Sequence, residues 1–168
     1  MNCTNCGGPL RHEPGRDYLI CDACRSIRHL EAEPEGLFLL GPVTSLNCPV
    51  CGIGMVNAVA LGQSVHYCTN CRGSLIATDV FMYLVAHLRV NLKEKPHPPR
   101  PIEPSELVRV VKCPLCSRAM DTHPYAGPGN IVIDNCPTCS VNWVDARELY
   151  RVASAPDESP NRDAWQEP

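Results

Sequence analysis

A small, mainly β protein stabilised by metal is the fold class the sequence predicts, and three observations lead to it. Twelve of the 168 residues are cysteine, all twelve fall into Cys-x-x-Cys pairs, and aromatic residues make up only 5% of the chain. One large core would suit this length, but so few bulky side chains cannot fill it. Several small units are expected instead, each burying too little surface to stand without a metal or disulfide staple.

The pairs group in chain order. Cys3/Cys6 goes with Cys21/Cys24, Cys48/Cys51 with Cys68/Cys71, and Cys113/Cys116 with Cys136/Cys139, across spacers of 14, 16 and 19 residues. Those spacers fall within or close to the range of four-thiolate zinc sites. Two cysteines three positions apart on a tight turn aim both sulfurs at one ion, and two such turns complete a tetrahedron. Gly7 and Gly52 follow the second Cys of their pairs, where a permissive backbone is needed, while Pro49, Pro114 and Pro137 follow the first and pre-set φ. Inside the spacers, turn residues precede strand-like runs: Pro14-Gly15 before Tyr18-Leu19-Ile20, Leu61-Gly62-Gln63 before Val65-His66-Tyr67, and Ala126 to Asn130 before Ile131-Val132-Ile133. The layout is a β-hairpin crossed by a metal. Three zinc ribbons, each a hairpin plus zinc knuckles, are therefore expected, with a helix after the second, a short helix after the third, and three zinc ions, one per four-Cys set.

Rival uses of the cysteines fit less well. A disulfide framework needs an oxidising compartment, and the start Met1-Asn2-Cys3-Thr4-Asn5-Cys6 offers neither the basic residues nor the apolar run of an export signal. A thioredoxin-like pair belongs at a helix amino terminus within a βαβ unit, not on turns. Iron in a four-thiolate site has the same ligands and geometry, with zinc the favoured ion. His12, His29, His66, His87, His97 and His123 do not recur at equivalent positions, and four thiolates already close each site. They are expected to be solvated or packed side chains. No catalytic constellation is visible, so no enzyme and no small-molecule substrate are expected.

The remaining sequence sets the domain boundaries. Ribbon 1 is expected over 1–42 and ribbon 2 over 43–95, joined with almost no linker. Thr78-Asp79 supplies an N-cap for a helix over 79–95, in which Phe81, Leu84, Val85, Leu88 and Leu92 share one face. Met82, Tyr83, Ala86 and Val90 lie outside that stripe, so the helix carries more apolar surface than one ribbon covers. Either ribbons 1 and 3 pack on it, or it is a face for self-association or a partner. Residues 96–112 read as a proline-rich linker: five prolines in the nine residues from Pro96 to Pro104 favour an extended rod of about 28 Å, a spacer expected to hold ribbon 3 (113–154) away from the others. Residues 155–168 read as a disordered acidic tail.

The third repeat carries a resemblance to a known family. Its second pair, Cys136-Pro137-Thr138-Cys139, is followed by Trp143-Val144-Asp145 and by Glu148-Leu149. In this it resembles the short bacterial and archaeal zinc-ribbon family named for its likeness to the ribbon of transcription factor IIB. The residues themselves predict that Asp145 and Glu148 form a capping-box start to a short helix, with Trp143 packed beside the metal knuckle and Leu149 and Val152 facing inward. Ribbon 2 has Leu75, Ala77 and Phe81 at the positions of Trp143, Asp145 and Leu149, and ribbon 1 has Arg28 at that of Trp143. The resemblance implies a zinc-binding ribbon, and transcription only by analogy of fold.

Charge narrows the function. The formal net charge is −3, and each four-thiolate site holding a divalent ion adds −2, taking the loaded chain to about −9. Between Val43 and Lys112, Arg72, Arg89, Lys93, Lys95, Arg100, Arg109 and Lys112 outnumber Asp79, Glu94, Glu103 and Glu106. That surplus is small beside the six to ten phosphate contacts of strong nucleic-acid binders. No apolar run is long enough to span a membrane. The expectation is a cytoplasmic, non-enzymatic zinc scaffold or adaptor that binds a protein partner. A transcription-associated nucleic-acid binder and a redox or zinc-responsive switch are the alternatives.

Overall fold

The computed structural model describes residues 2–13, 16, 18–33, 36–91, 101–125 and 130–155. Three short strands, β1 (Leu10–His12), β2 (Tyr18–Cys21) and β3 (Ile27–His29), form an antiparallel sheet in that order. Next come β4 (Phe38–Asn47), β5 (Gly54–Ala60), β6 (Gln63–Tyr67), β7 (Ser74–Ala77) and helix α1 (Thr78–Asn91). The short helix α2 (Pro104–Val108) precedes β8 (Asp121–Pro124), β9 (Val132–Cys136), β10 (Val141–Val144) and α3 (Glu148–Ser154). The mainly β architecture with a helix after the second and third cysteine sets is the one expected.

Ribbons 2 and 3 are not held apart. Their strands form one seven-stranded sheet in the order β4-β5-β6-β7-β10-β9-β8, joined where β7 pairs antiparallel with β10. The expected separation by a proline spacer is thus corrected. A rod fixes how far a chain reaches, not where it ends. Each hairpin also presents an edge of unpaired backbone groups, which pairing satisfies. In the joining register Leu75 lies opposite Trp143, with Ser74 opposite Val144 and Ile76 opposite Asn142. Leu75 and Trp143 each stand four residues after the last Cys of their sites, so the two equivalent strands meet about a local two-fold axis at this pair.

The alternation of side chains gives this sheet two different faces. On one, Ile76, Val144, Val65, Tyr67, Ile131 and Ile133 pack with Phe81, Leu84 and Val85 of α1 and Val152 of α3. The two helices lie against each other, and the Arg89 guanidinium donates to the carbonyl of Val152 at 3.3 Å. Ribbon 3 therefore covers the inner stripe of α1, which meets in part the expectation that ribbons 1 and 3 pack on it, since no residue of β1, β2 or β3 belongs to this cluster. Met82, Tyr83 and Val90 stay exposed on its other side. The other face of the sheet holds Leu75, Trp143, Val141 and Met55 together with the cysteines.

Two boundaries move. Strand β4 crosses the position expected to divide ribbon 1 from ribbon 2, and it pairs with β5 from Phe38↔Val59 to Asn47↔Gly54 through two register shifts. The division thus falls before Phe38, because a strand belongs with the sheet that satisfies its backbone. The expected linker also ends early: α2 lies against β8, Val111 is buried, and the Met120 N–H donates to its carbonyl at 2.8 Å. The last four residues of the expected helix (92–95), the first five linker residues and nearly all of the expected tail fall outside the described residues.

Arg109 explains why the end of the linker is fixed. Its guanidinium bridges Asp134, which is fully buried, and Asp145. Thr122 donates to the other oxygen of Asp134. Removing the cation would strand a buried carboxylate, so Arg109→Ala is expected to destabilise the fold by about 3 kcal/mol, measured as a shift in denaturant midpoint with unchanged slope.

Candidate metal centres

Each centre is built from two knuckles of one design. In the first knuckles, the N–H groups of Cys3, Cys48 and Cys113 donate to the carbonyls of Gly8, Ile53 and Arg118, and those of Gly7, Gly52 and Ser117 donate back to the cysteine carbonyls, all at 2.7–2.9 Å. Cys21 and Cys68 repeat the pattern with Ser26, Arg25, Gly73 and Arg72. The residue after the second Cys has positive φ in all six knuckles: Gly7, Arg25, Gly52, Arg72, Ser117 and Ser140. Two are the glycines expected from sequence. At the other four, an L side chain accepts the left-handed conformation at a cost of roughly 1–2 kcal/mol.

The knuckles bring together every cysteine predicted as a ligand. Cys3, Cys6, Cys21 and Cys24 form one cluster, Cys48, Cys51, Cys68 and Cys71 a second, and Cys113, Cys116, Cys136 and Cys139 a third, with the four sulfurs of each within 4.8 Å of one another. No disulfide links them; all twelve are free thiols. Neighbouring sulfurs lie 3.5 Å (Cys6–Cys21), 3.6 Å (Cys48–Cys71) and 3.7 Å (Cys116–Cys136) apart. A tetrahedron with metal–sulfur bonds of about 2.3 Å has edges of about 3.8 Å. The donor sets fit a four-coordinate thiophilic ion, and none of the three clusters includes a His.

Within each cluster the thiols are unequal: neighbouring sulfurs push Cys139 up to about 12 and burial raises Cys48, Cys71 and Cys113, while local donors hold one thiol of each set down. The hydroxyl and backbone N–H of Ser26 hold the Cys24 thiol down to about 6. Asn70 and Cys71 bring Cys51 to about 7, and the backbone at Arg118 does the same for Cys116.

The centres differ in surroundings. Cys6 and Cys24 of the first are exposed. All eight cysteines of the other two belong to or pack against one apolar cluster with Met55, Leu75, Val111, Met120, Val141 and Trp143. Trp143 is fully buried, and its indole N–H donates to Asp145 at 2.9 Å. Its ring lies on Gly73, inside the second knuckle of ribbon 2, where an added Cβ would come within 2.3 Å of it. The expected packing of Trp143 beside a knuckle is found, with the knuckle of the neighbouring ribbon among its contacts. Sequence reasoning missed Gly73, although its place two residues after Cys71 matches that of Gly8 after Cys6.

The expected capping box is present in half. Glu148 accepts the backbone N–H of Asp145 at 2.7 Å, while the Asp145 side chain is taken by Trp143 and Arg109. Burial pushes the Glu148 carboxyl up to about 7 from 4.5. The folded chain therefore holds a proton that the unfolded chain releases in this window, and stability falls as pH rises through it. Glu148→Gln keeps the acceptor and lacks the titration. Its stability advantage over the native chain is expected to grow by about 1 kcal/mol from pH 6 to pH 8, measured by chemical denaturation of both at each pH.

Among the described residues no helix is long and apolar enough to cross a membrane. Comparison of the chain with protein-family models, curated proteins and solved structures returned no match.

Proposed function

We propose that the chain is a non-enzymatic scaffold that binds three zinc ions, works in a reducing compartment such as the cytoplasm, and engages a protein partner through its ribbon and helix surfaces. The observation that carries this reading is the closure of the clusters. Four sulfurs lie within 4.8 Å of one another at each centre, enough ligands to close a tetrahedral site as in structural zinc, whereas a catalytic site keeps a position open. Zinc is favoured over iron because it is the usual ion of tandem structural ribbons, but the sulfur positions suit both.

Support for a partner comes from apolar side chains presented to solvent. Val50, Ile53 and Leu115 stand exposed at the first knuckles of ribbons 2 and 3, and Met82 and Val90 on the outer side of α1. Self-association through the α1 face is the homotypic form of this reading, and light scattering over a concentration series separates it from a heterotypic one. The nucleic-acid alternative has lost ground, because Arg109 is committed to Asp134 and Asp145.

Elemental analysis of the native protein tests the metal part: three zinc ions per chain are expected, and iron or none would overturn it. Cross-linking to co-purifying protein, compared between the native chain and Val50→Glu or Val90→Glu, tests the partner part. Loss of cross-links in at least one variant is expected. Identical cross-linking in all three would remove these faces from the proposal.

A further inference from the structure

The three centres sit in two kinds of surroundings, and metal exchange depends on surroundings as well as on ligands. None of Cys3, Cys6, Cys21 and Cys24 belongs to either apolar cluster of the described residues. From Asn2 to His29 the only described apolar side chain buried besides sulfur is Leu19. Two of the four sulfurs face water, and the sheet that carries them is separate from the seven-stranded one. Opening this centre costs the exposure of little apolar surface.

Centres 2 and 3 have a common wall. Leu75 and Trp143 meet across the strand pair that joins the ribbons, the Trp143 ring covers Gly73 in a knuckle of centre 2, and Val141 leads away from Cys139 into the same cluster. A knuckle of centre 2 cannot open without uncovering the indole. That indole is carried by the strand following Cys139, so the two occupancies are coupled in free energy.

We propose that the centres fall into two classes: centre 1 exchanges its ion with thiol ligands in solution or on a thiol-rich acceptor, whereas centres 2 and 3 fill and empty as one unit. This inference rests on the reading of the clusters as metal sites. Exchange at centre 1 is a ligand substitution with no change of oxidation state. The sulfur of an incoming thiol forms its bond to the ion as the bond from Cys24 Sγ breaks, and the proton of the incoming thiol passes to Cys24 Sγ. Ser26 Oγ at 3.1 Å and Asn5 Nδ2 at 3.8 Å from that sulfur remain to hold it. Repetition at exposed Cys6 frees a second arm. The ion taken or delivered is a thiophilic d10 cation, zinc foremost.

The test is a time course of metal loss from the intact, zinc-loaded chain, using EDTA and, separately, glutathione with EDTA, read by native mass spectrometry. One ion is expected to leave at least about tenfold faster than the other two, and faster still with the thiol present. The two-ion species should then pass to the metal-free species with little one-ion intermediate. In a Trp165→Phe background Trp143 is the only indole, and its emission is expected to hold through the first phase and change in the second. Cys6→Ser/Cys24→Ser is expected to remove the fast phase and retain two ions. Loss of all three ions at one rate, or a one-ion species at its statistical share, would overturn the two-class inference while leaving the metal reading intact. A chain that binds no ion would overturn the metal reading itself.

Discussion

Complete removal of metal is expected to unfold ribbon 1 and expose the Trp143 indole to water. From Asn2 to His29 the described residues bury one leucine and two sulfurs, those of Cys3 and Cys21. A buried leucine contributes about 2–3 kcal/mol, while ordering each residue costs roughly 1–2 kcal/mol, so apolar burial cannot hold this unit. An ion held by the four thiols would supply the difference, on the order of 10 kcal/mol per site. The seven-stranded sheet has the apolar cluster under α1 and α3 to fall back on, but its other face is lined by two four-cysteine clusters. Far-ultraviolet circular dichroism, tryptophan emission and an amide spectrum of the stripped protein check this, followed by zinc addition to restore the native state. Dispersed amide signals from ribbon 1 without metal would contradict it.

Trp143→Ala is expected to cost about 4 kcal/mol, the largest effect of any single change away from the cysteines. The residue is fully buried between the two centres of the large sheet, and its loss leaves a cavity bounded by strands and knuckles that cannot collapse. Gly73→Ala makes the complementary error. The new Cβ would lie 2.3 Å from one ring carbon and 2.8 Å from another, and overpacking of this kind costs about 1–3 kcal/mol. The two errors should offset one another. Once Trp143 is replaced by Leu, the residue ribbon 2 carries at the equivalent position 75, Gly73→Ala is expected to become nearly neutral. A double-mutant cycle by denaturant unfolding reads the coupling directly, and additive effects would show that ring and glycine do not share the contact.

The candidate site was almost wholly legible in the sequence, whereas the arrangement of the units was not. Cysteine pairs at Cys-x-x-Cys spacing act locally: each knuckle closes through hydrogen bonds between residues three to five positions apart, such as Gly52 to Cys48 and Cys48 to Ile53. Four-residue turns and a hairpin suffice to bring four sulfurs together, so counting residues found all three clusters. Helix α1 was legible for the same reason, through the spacing of Phe81, Leu84 and Val85 and the Thr78-Asp79 start, although Asp79 stands inside the first turn, where it accepts the N–H of Val80 at 2.8 Å. Arg109 was misread as part of a basic surplus because nothing local marks its partners. Asp134 and Asp145 lie 25 and 36 residues further along the chain.

The sequence by itself determined three hairpins, twelve thiols in three sets of four, and the helices that follow the second and third. Those features depend on short-range geometry and on residue chemistry, both written in neighbouring positions. Only the tertiary structure decided that β7 and β10 pair, that Trp143 seals a knuckle of the other ribbon, and that the proline-rich segment ends bound to ribbon 3. Edge strands of similar composition can pair with water, with a partner or with each other. Burial of Leu75, Trp143 and the two helices across a local two-fold axis selects the last of these. That choice embeds two cysteine clusters in one core and leaves the third beside the solvent.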